Sequence, residues 1–405
     1  MTLDLTRMAD QIEAMSTHLS QRAVEGRQTL ARAQSSYDQE KPDLGPLRKK
    51  LEESRGKVTW MPATLVEDWY NRYDQPQSPA DFAVLATDGS QIELERHAPA
   101  NCYLINIGQV MLRYGSRPDA RLTSRASLFY RDEDLYLTDP ANANQRESVN
   151  GKLLRLKRSV MEVQALAELA SWARYHAPPL PTLALLDGTL ILWELGGKEV
   201  KPFVRDWLLG PFLEALEVLR RVPYLTLASY ISNPRATEVV DALRIAECPY
   251  MPPNCDRHCS RISPSQGRPC DQVAEGVRDA DLFRERLRTG ERSPLFQSLS
   301  RVLDNYGEHT VCFFYVNAGD EIARVEVPSW VTAEPYRLDL AHALALDQAC
   351  RGQGYPAALM EAHEQAVVQA SDRQTFWTIV EEMLFEGRVP AVTSSKAQSK
   401  RLRGI

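Results

Sequence analysis

The chain has no run of about 18 uninterrupted apolar residues, the length a membrane-spanning helix needs, so no membrane span is expected. It has no basic excess. Its 48 Lys and Arg stand against 54 Asp and Glu, a net charge of −6. A broad positive field for nucleic acid is thereby excluded, and any such partner must be met by a local patch or through metal ions. The first residues, MTLDLTRMADQ, carry acidic side chains and no long apolar core. No secretory signal is expected from them, and a cytoplasmic location is. The seven cysteines include no CxxC pair of the kind that builds a zinc ribbon. Cys102, Cys312 and Cys350 sit in apolar or helical context and are expected as buried reduced thiols. What remains is the composition of an ordinary globular protein, 405 residues long, enough for one large domain or two to three smaller ones.

The most informative stretch is residues 82–90, FAVLATDGS, an apolar strand-forming run that ends in Asp88-Gly89-Ser90. A near copy recurs at residues 183–190, LALLDGTL, with Asp187-Gly188-Thr189 in the same place. An apolar run without alternation suits a strand buried on both faces. Glycine straight after it allows a sharp turn or close approach. The aspartate before the glycine then sits at a strand end, where open sheets place their sites. One such Asp-Gly is an ordinary turn. Two at matched strand ends put two carboxylates at one rim, a donor set for a hard divalent cation.

Along the chain, Leu5, Met8, Ile12, Met15 and Leu19 recur at coiled-coil spacing in a polar helical segment. Two heptads are too short to stand alone, so the arm is expected to pack on a helix of its own domain or of a second subunit. Strands are expected at 82–90, 102–114, 126–137, 183–187, 224–231 and 310–317. Residues 322–327 read as a strand with one wet face. Helices are expected at 146–175, 204–222, 236–246 and 279–288, after GERSPLF (290–296), and at 336–348, 356–369 and 372–386. Ser232 is a candidate cap for the helix after Pro234. Strands separated by helices give an α/β domain. We expect a helical arm over 1–75, one main domain over 76–390 and a basic tail over 391–405. That tail carries Lys396, Lys400, Arg401 and Arg403 and suits either solvent or a phosphate backbone.

A third carboxylate is available on the helix before Asp187. Val163, Leu166, Leu169, Ala170 and Ala173 define its apolar face; Glu162 falls inside that face and Glu168 well off it. A carboxylate on a buried stripe is costly unless paired, protonated or metal-bound. Glu162 is therefore the first candidate ligand and Glu168 the second, with an ion pair to Arg155 or Arg158 as the structural account of Glu162. His363 shares a helix face with Leu359, Ala366, Val367 and Ala370. By spacing alone it reads as a core histidine, with Tyr355 near the mouth of its helix.

The DGS at Asp88, the DGT at Asp187, and GYPAALMEAHEQAVV (354–368) together resemble the signature regions of the NurA nucleases. ISNPRATEVVDALR and RVEVPSW are similar to linking segments of bacterial members. The resemblance runs over residues 81–376. It implies an RNase H-like mixed sheet flanked by helices and a manganese-dependent nuclease. Such enzymes act as 5′–3′ exonucleases on DNA ends and as endonucleases on single strands. The resemblance further implies ring-like homodimers and a hexameric HerA-type DNA-translocating ATPase as partner. Asp88 and Asp187 match the family's metal-binding aspartates, and Tyr355 and His363 its C-terminal Tyr and His; Glu162 takes the helical glutamate's place, with Glu168 as second choice. The implied site is catalytic at Asp88, Glu162, Asp187, Tyr355 and His363, with Mn²⁺ (or Mg²⁺), in two ions, on Asp88, Glu162, Asp187 and His363. The strand end at Ser232 lacks a lysine that many members carry, so Ser232 and Arg235 are the candidate DNA contacts there.

Cys248, Cys255, Cys259 and Cys270 crowd one polar stretch, with spacing outside the family's motifs. In a cytoplasmic protein they suit structural Zn²⁺, an iron–sulfur cluster or free thiols. Two other functions stay open from sequence: a non-catalytic subunit that docks the ATPase and DNA, and an RNA nuclease on the same fold. Loss of the carboxylates would mark the first, and they are present.

Overall fold

Residues 82–87 form the centre of a strand because every one of them is buried, leaving backbone pairing as the only way to satisfy their polar groups. In the computed structural model of this chain, the strand Phe82–Ile92 pairs antiparallel with Tyr103–Tyr114. That strand pairs antiparallel with Asp119–Phe129. On its other side Phe82–Ile92 runs parallel to Thr182–Asp187, which runs parallel to Leu225–Ile231. In space the five strands therefore lie third, second, first, fourth, fifth, part of the mixed sheet expected. The structure describes residues 8–39, 44–95, 98–176, 178–197, 199–263, 267–268 and 270–388. The basic tail, and Leu5 of the arm stripe, lie outside them.

Two helices flank these strands from opposite faces. Helix Gly151–His176 is tied down by Thr87 Oγ1 donating to the Glu162 carbonyl at 2.9 Å and Gln109 Nε2 donating to that of Ala165 at 3.1 Å. Helix Ala357–Ala366 lies against Gly108, where a Cβ would meet the Ala362 carbonyl oxygen at 2.4 Å. Gly108 is the register partner of Asp88, and side chains alternate along a strand. The Asp88 face therefore carries the second helix and the Gly89 face the first.

The chain divides into two compact units. One comprises the described residues of Met1–Gln75, Ile231–Asn305 and Thr310–Glu326; the other, those of Pro76–Tyr230, Tyr306–His309 and Val327–Ile405. All five strands above, save Ile231, belong to the second. The first holds the helices Ala9–Asp38 and Gly45–Ser54, the Cys-rich stretch, and its own core, in which Tyr37, Trp69, Phe283, Phe296, Phe313 and Tyr315 pack together. Ile12, Met15 and Leu19 of the arm stripe are exposed. No helix among the described residues is long and apolar enough to cross a membrane.

Several local expectations are corrected. The third strand is Asp119–Phe129 rather than 126–137. It is mostly exposed, so it lacks the apolar pattern that marks a buried strand, and Asp132, Glu133 and Asp134 start a helical turn instead. The long helix begins at Gly151, not at Arg146, which lies in the hairpin strand Asn142–Ser148. GERSPLF runs into the short strand Phe296–Ser298, and the helix that follows is only a 3-10 turn, Arg301–Asn305. Residues Ile322–Pro328 are buried throughout. Arg324 is accommodated because it pairs with Glu238 at 2.6 Å and with Glu326 at 2.9 Å. Ser232 caps no helix. It bonds Glu321, while the first N–H groups of helix Glu238–Glu247 are taken by Asp279. Cys102 and Cys312 are buried as expected, but Cys350 is exposed.

Candidate active site

The site grows from the register of two parallel strands. Thr87 and Leu186 are Cα partners, so Asp88 and Asp187, each one residue further on, lie side by side where the parallel pairing stops. Asp187 ends its strand as expected, but Asp88 does not: its strand runs on through Gly89 to Ile92, still paired antiparallel, so Asp88-Gly89 is no turn. Parallel strands lie about 4.8 Å apart, which brings the carboxylates within strong mutual influence. Gly188 takes a positive φ of 81° and turns the chain away directly after Asp187. Its N–H donates to the Tyr230 carbonyl at 3.2 Å, and the Tyr355 hydroxyl donates to the Asp187 carboxylate. Asp187 is reachable at its strand end but enclosed on its protein side. That enclosure raises its carboxyl above the ordinary range, Tyr355 opposing and Asp88 adding to the rise.

Glu162 approaches from the other face across Gly89. A Cβ on Gly89 would lie 2.6 Å from Glu162 Oε1 and 2.9 Å from Arg158 Cγ, so a larger residue there would push this carboxylate aside. The Glu162 side chain is 12% exposed, and its Oε1 stands 3.1 Å from Arg158 Nε. Neither of these two atoms has a partner in hydrogen-bond geometry. Burial pushes the Glu162 carboxyl up to about 7; Arg158 opposes the rise, and the charges of Asp88 and Asp187 add to it. Glu168, the second choice, points away: its side chain is 57% exposed and pairs with Arg125 at 3.3 Å.

His363 completes the group from helix Ala357–Ala366. Its Nδ1 lies 2.8 Å from Asp88 Oδ2. Spacing read it as a core residue, but its side chain is 63% exposed; Ala358, Leu359, Ala362 and Ala366 are the buried face. Tyr355 sits just before this helix, its ring edge-on to Tyr230 at 6.0 Å. His363 thus meets Asp88 directly and Tyr355 bonds Asp187, while Glu162 reaches Asp88 and Asp187 by charge from the Gly89 face.

Sequence reasoning missed the residues that fix the helix bearing His363. Gln348, fully buried, accepts from the Ala358 N–H at 3.1 Å and holds the helix start. Asn106 Nδ2 donates to the Gln365 and Ala366 carbonyls at 3.2 and 2.8 Å, and Ser90 Oγ donates to that of Ala366. Gly108 provides the close contact. The only signal in the sequence was the small polar Ser90 after Asp88-Gly89.

The remaining candidates lie in the other unit. Ser232 Oγ donates to Glu321 at 2.7 Å, and Arg235 is exposed. Cys248 follows helix Glu238–Glu247, Cys255 and Cys259 bound the turn Cys255–His258, and Cys270 precedes Asp271–Ala274. All four thiols are free of disulfides. Burial, and then the neighbouring Cys255 and Cys248, raise the Cys259 thiol.

As the side chains stand, no three His, Cys, Asp or Glu among the described residues form a group that could hold a metal ion. The Asp88 rim nonetheless fits a hard divalent cation in its chemistry. It offers three carboxylates and an imidazole, a buried Glu162 oxygen without a hydrogen-bond partner, and mutual repulsion that a cation would relieve.

Comparison with known proteins places this rim inside a family region. No curated protein sequence matches the chain. Among solved structures, the NurA nuclease from Sulfolobus solfataricus overlays with a TM-score of 0.52 at 12% identity, covering 95% of this chain and 98% of that one. A structure of NurA with manganese overlays at 0.37 and 9% identity, covering 83% and 96%. One of NurA bound to dAMP and manganese overlays at 0.36 and 10%, covering 77% and 90%. The last two lie too far off to inform the site. The NurA domain model matches residues 82–368, a span that contains all five residues of the rim, and the chain belongs to the NurA family.

Proposed function

We propose that the chain is a metal-dependent nuclease that hydrolyses DNA phosphodiesters. The observation that carries this reading is the meeting of Asp88, Glu162, Asp187 and His363 at one sheet rim, within the span matched by the family model. Asp88, Glu162, Asp187 and His363 would hold Mn²⁺ (or Mg²⁺), in two ions, the imidazole tilting the choice toward manganese. When bound, the ions supply a water of lowered pKa and neutralise charge developing on the phosphate oxygens. Asp88 fixes the His363 ring through Nδ1, which leaves Nε2 either as the ligand to a cation or, where the carboxylates alone hold the ions, as the group that moves a proton to or from the reacting oxygens. Tyr355 holds the Asp187 carboxylate in place by its hydroxyl. Burial on the Gly89 face keeps Glu162 out of bulk water.

Family membership supports the finer reading. The activity is 5′–3′ exonuclease on ends and endonuclease on single strands, in DNA end processing and repair, with a HerA-type hexameric ATPase and as a cytoplasmic homodimer. The exposed Ile12, Met15 and Leu19 stripe is the arm's surface for a second subunit. Arg235, with Ser232, is the candidate phosphate contact of the other unit. Cys248, Cys255, Cys259 and Cys270 are candidates for structural zinc or an iron–sulfur cluster.

The test is cleavage of end-labelled single- and double-stranded DNA by purified protein with Mn²⁺, Mg²⁺ or EDTA, beside Asp88→Ala and with RNA of the same sequence. Mn²⁺-dependent cutting of DNA that the substitution removes supports the reading. Cutting that survives it, or no cutting with or without the ATPase, refutes it.

A further inference from the structure

Glu162 already has a cation, and it belongs to the protein. Arg158 lies one helical turn before it on Gly151–His176, and its Nε stands 3.1 Å from Glu162 Oε1. Both side chains lean on the same glycine, since a Cβ at Gly89 would touch Glu162 Oε1 and Arg158 Cγ together. The contact is close but badly aligned, because neither Arg158 Nε nor Glu162 Oε1 reaches hydrogen-bond geometry. A well-made arginine–carboxylate pair is bidentate and aligned. This one has the Coulomb attraction of an ion pair and little of the directional bonding, so its carboxylate is held but can be taken away. The arginine has somewhere to go, for its side chain is 30% exposed against 12% for Glu162.

From this geometry we infer that Arg158 is a positioning residue that competes with the divalent cation for Glu162, and so sets how readily the site is loaded. The inference rests on the reading of Glu162 as a metal ligand. The pair holds Glu162 against the sheet and lowers the charge repulsion with Asp88 and Asp187 that would otherwise oppose three carboxylates at one rim. An arriving cation must displace the guanidinium, so the affinity it shows is reduced by the strength of the pair. Arg155 provides the comparison. It lies about 10 Å along the axis from Glu162, two turns away. It is exposed. It carries the same charge on the same helix and forms no ion pair with the carboxylate.

The experiment is a titration of Mn²⁺ into the full-length protein without DNA, read by the paramagnetic resonance signal of free Mn²⁺. Wild type, Arg158→Gln, Arg158→Lys, Arg155→Gln and Glu162→Gln are compared, with thermal melting to confirm folding. Arg158→Gln is expected to bind Mn²⁺ about two- to fivefold more tightly than wild type, the size of a partly exposed ion pair. Arg155→Gln is expected to change affinity by less, and Arg158→Lys to fall between wild type and Arg158→Gln. If Arg158→Gln fails to fold, the order of Arg158→Lys and Arg155→Gln decides. Equal effects of removing either arginine would reduce Arg158 to a general charge and overturn the inference, as would unchanged or weaker binding in Arg158→Gln. Glu162→Gln separates the two levels. If it binds Mn²⁺ as wild type does, Glu162 is no ligand and the functional assignment of that residue falls with the inference. If it binds more weakly while Arg158→Gln does not bind more tightly, only the inference falls.

Discussion

His363 Nδ1 and Asp88 Oδ2 lie 2.8 Å apart, although 275 positions separate them in the chain. Asp88 belongs to the strand Phe82–Ile92 and His363 to a helix near the end of the family region, and the packing of that helix on Gly108, with its bonds from Asn106 and Ser90, joins them. The pair supplies a first prediction. Asp88→Ala should abolish Mn²⁺-dependent cleavage. His363→Ala should lower kcat by about a hundredfold, the usual weight of a proton-transfer group. Glu168→Ala, which removes only the exposed pair with Arg125, should leave kcat near wild type. Steady-state kinetics on a short labelled duplex distinguishes the three.

The pH dependence follows from Glu162. Its carboxyl is raised to about 7, chiefly by burial. A cation takes the ionised form, so below that pH binding must expel a proton. Apparent Mn²⁺ affinity should rise about tenfold per pH unit up to 7 and flatten above it. For folding the sign is reversed. The unfolded carboxyl loses its proton first, near 4.3, so the folded protein loses stability from about pH 4.3 to 7 through this group. Glu162→Gln should flatten both profiles, as Mn²⁺ titrations and thermal melts across that range would reveal.

Gly108→Ala tests how the His363 helix is seated. The added methyl would meet the Ala362 carbonyl oxygen at 2.4 Å and the Ala366 nitrogen at 2.7 Å, both of them backbone. The helix must move off the sheet, and its Asn106 and Ser90 latches with it. We expect a loss of about 1–3 kcal/mol in stability, typical of overpacking. The fall in kcat should be larger than that loss explains at a temperature where the protein is folded. Denaturant unfolding and kinetics on the same preparation measure both.

The cysteines predict a metal content. Protein purified without chelator should carry about one zinc per chain if the four thiols act as a tetrahedral site. Replacing Cys255 and Cys259 by Ser should remove it and lower the melting temperature. Elemental analysis that finds neither zinc nor iron, in protein whose thiols all react with a thiol reagent, would establish free cysteines.

What the sequence determined by itself was local. Apolar runs without alternation marked the buried strands 82–90 and 183–187, because a strand covered on both faces has no wet positions. Helical periodicity separated Glu162 from Glu168, and the structure buries one and exposes the other. The edge strand Asp119–Phe129 escaped notice because exposed residues carry no such pattern, and Arg324 and Glu326 looked like a wet face because pairing partners cannot be read from a strand's own residues. Tertiary structure decided the rest. It set the register that places Asp88 beside Asp187, the glycine contacts that admit Glu162 and seat the His363 helix, and the choice of Arg158 as the cation on Glu162. Each depends on segments distant in the chain meeting at a few ångströms, and spacing along one segment carries no information about that meeting.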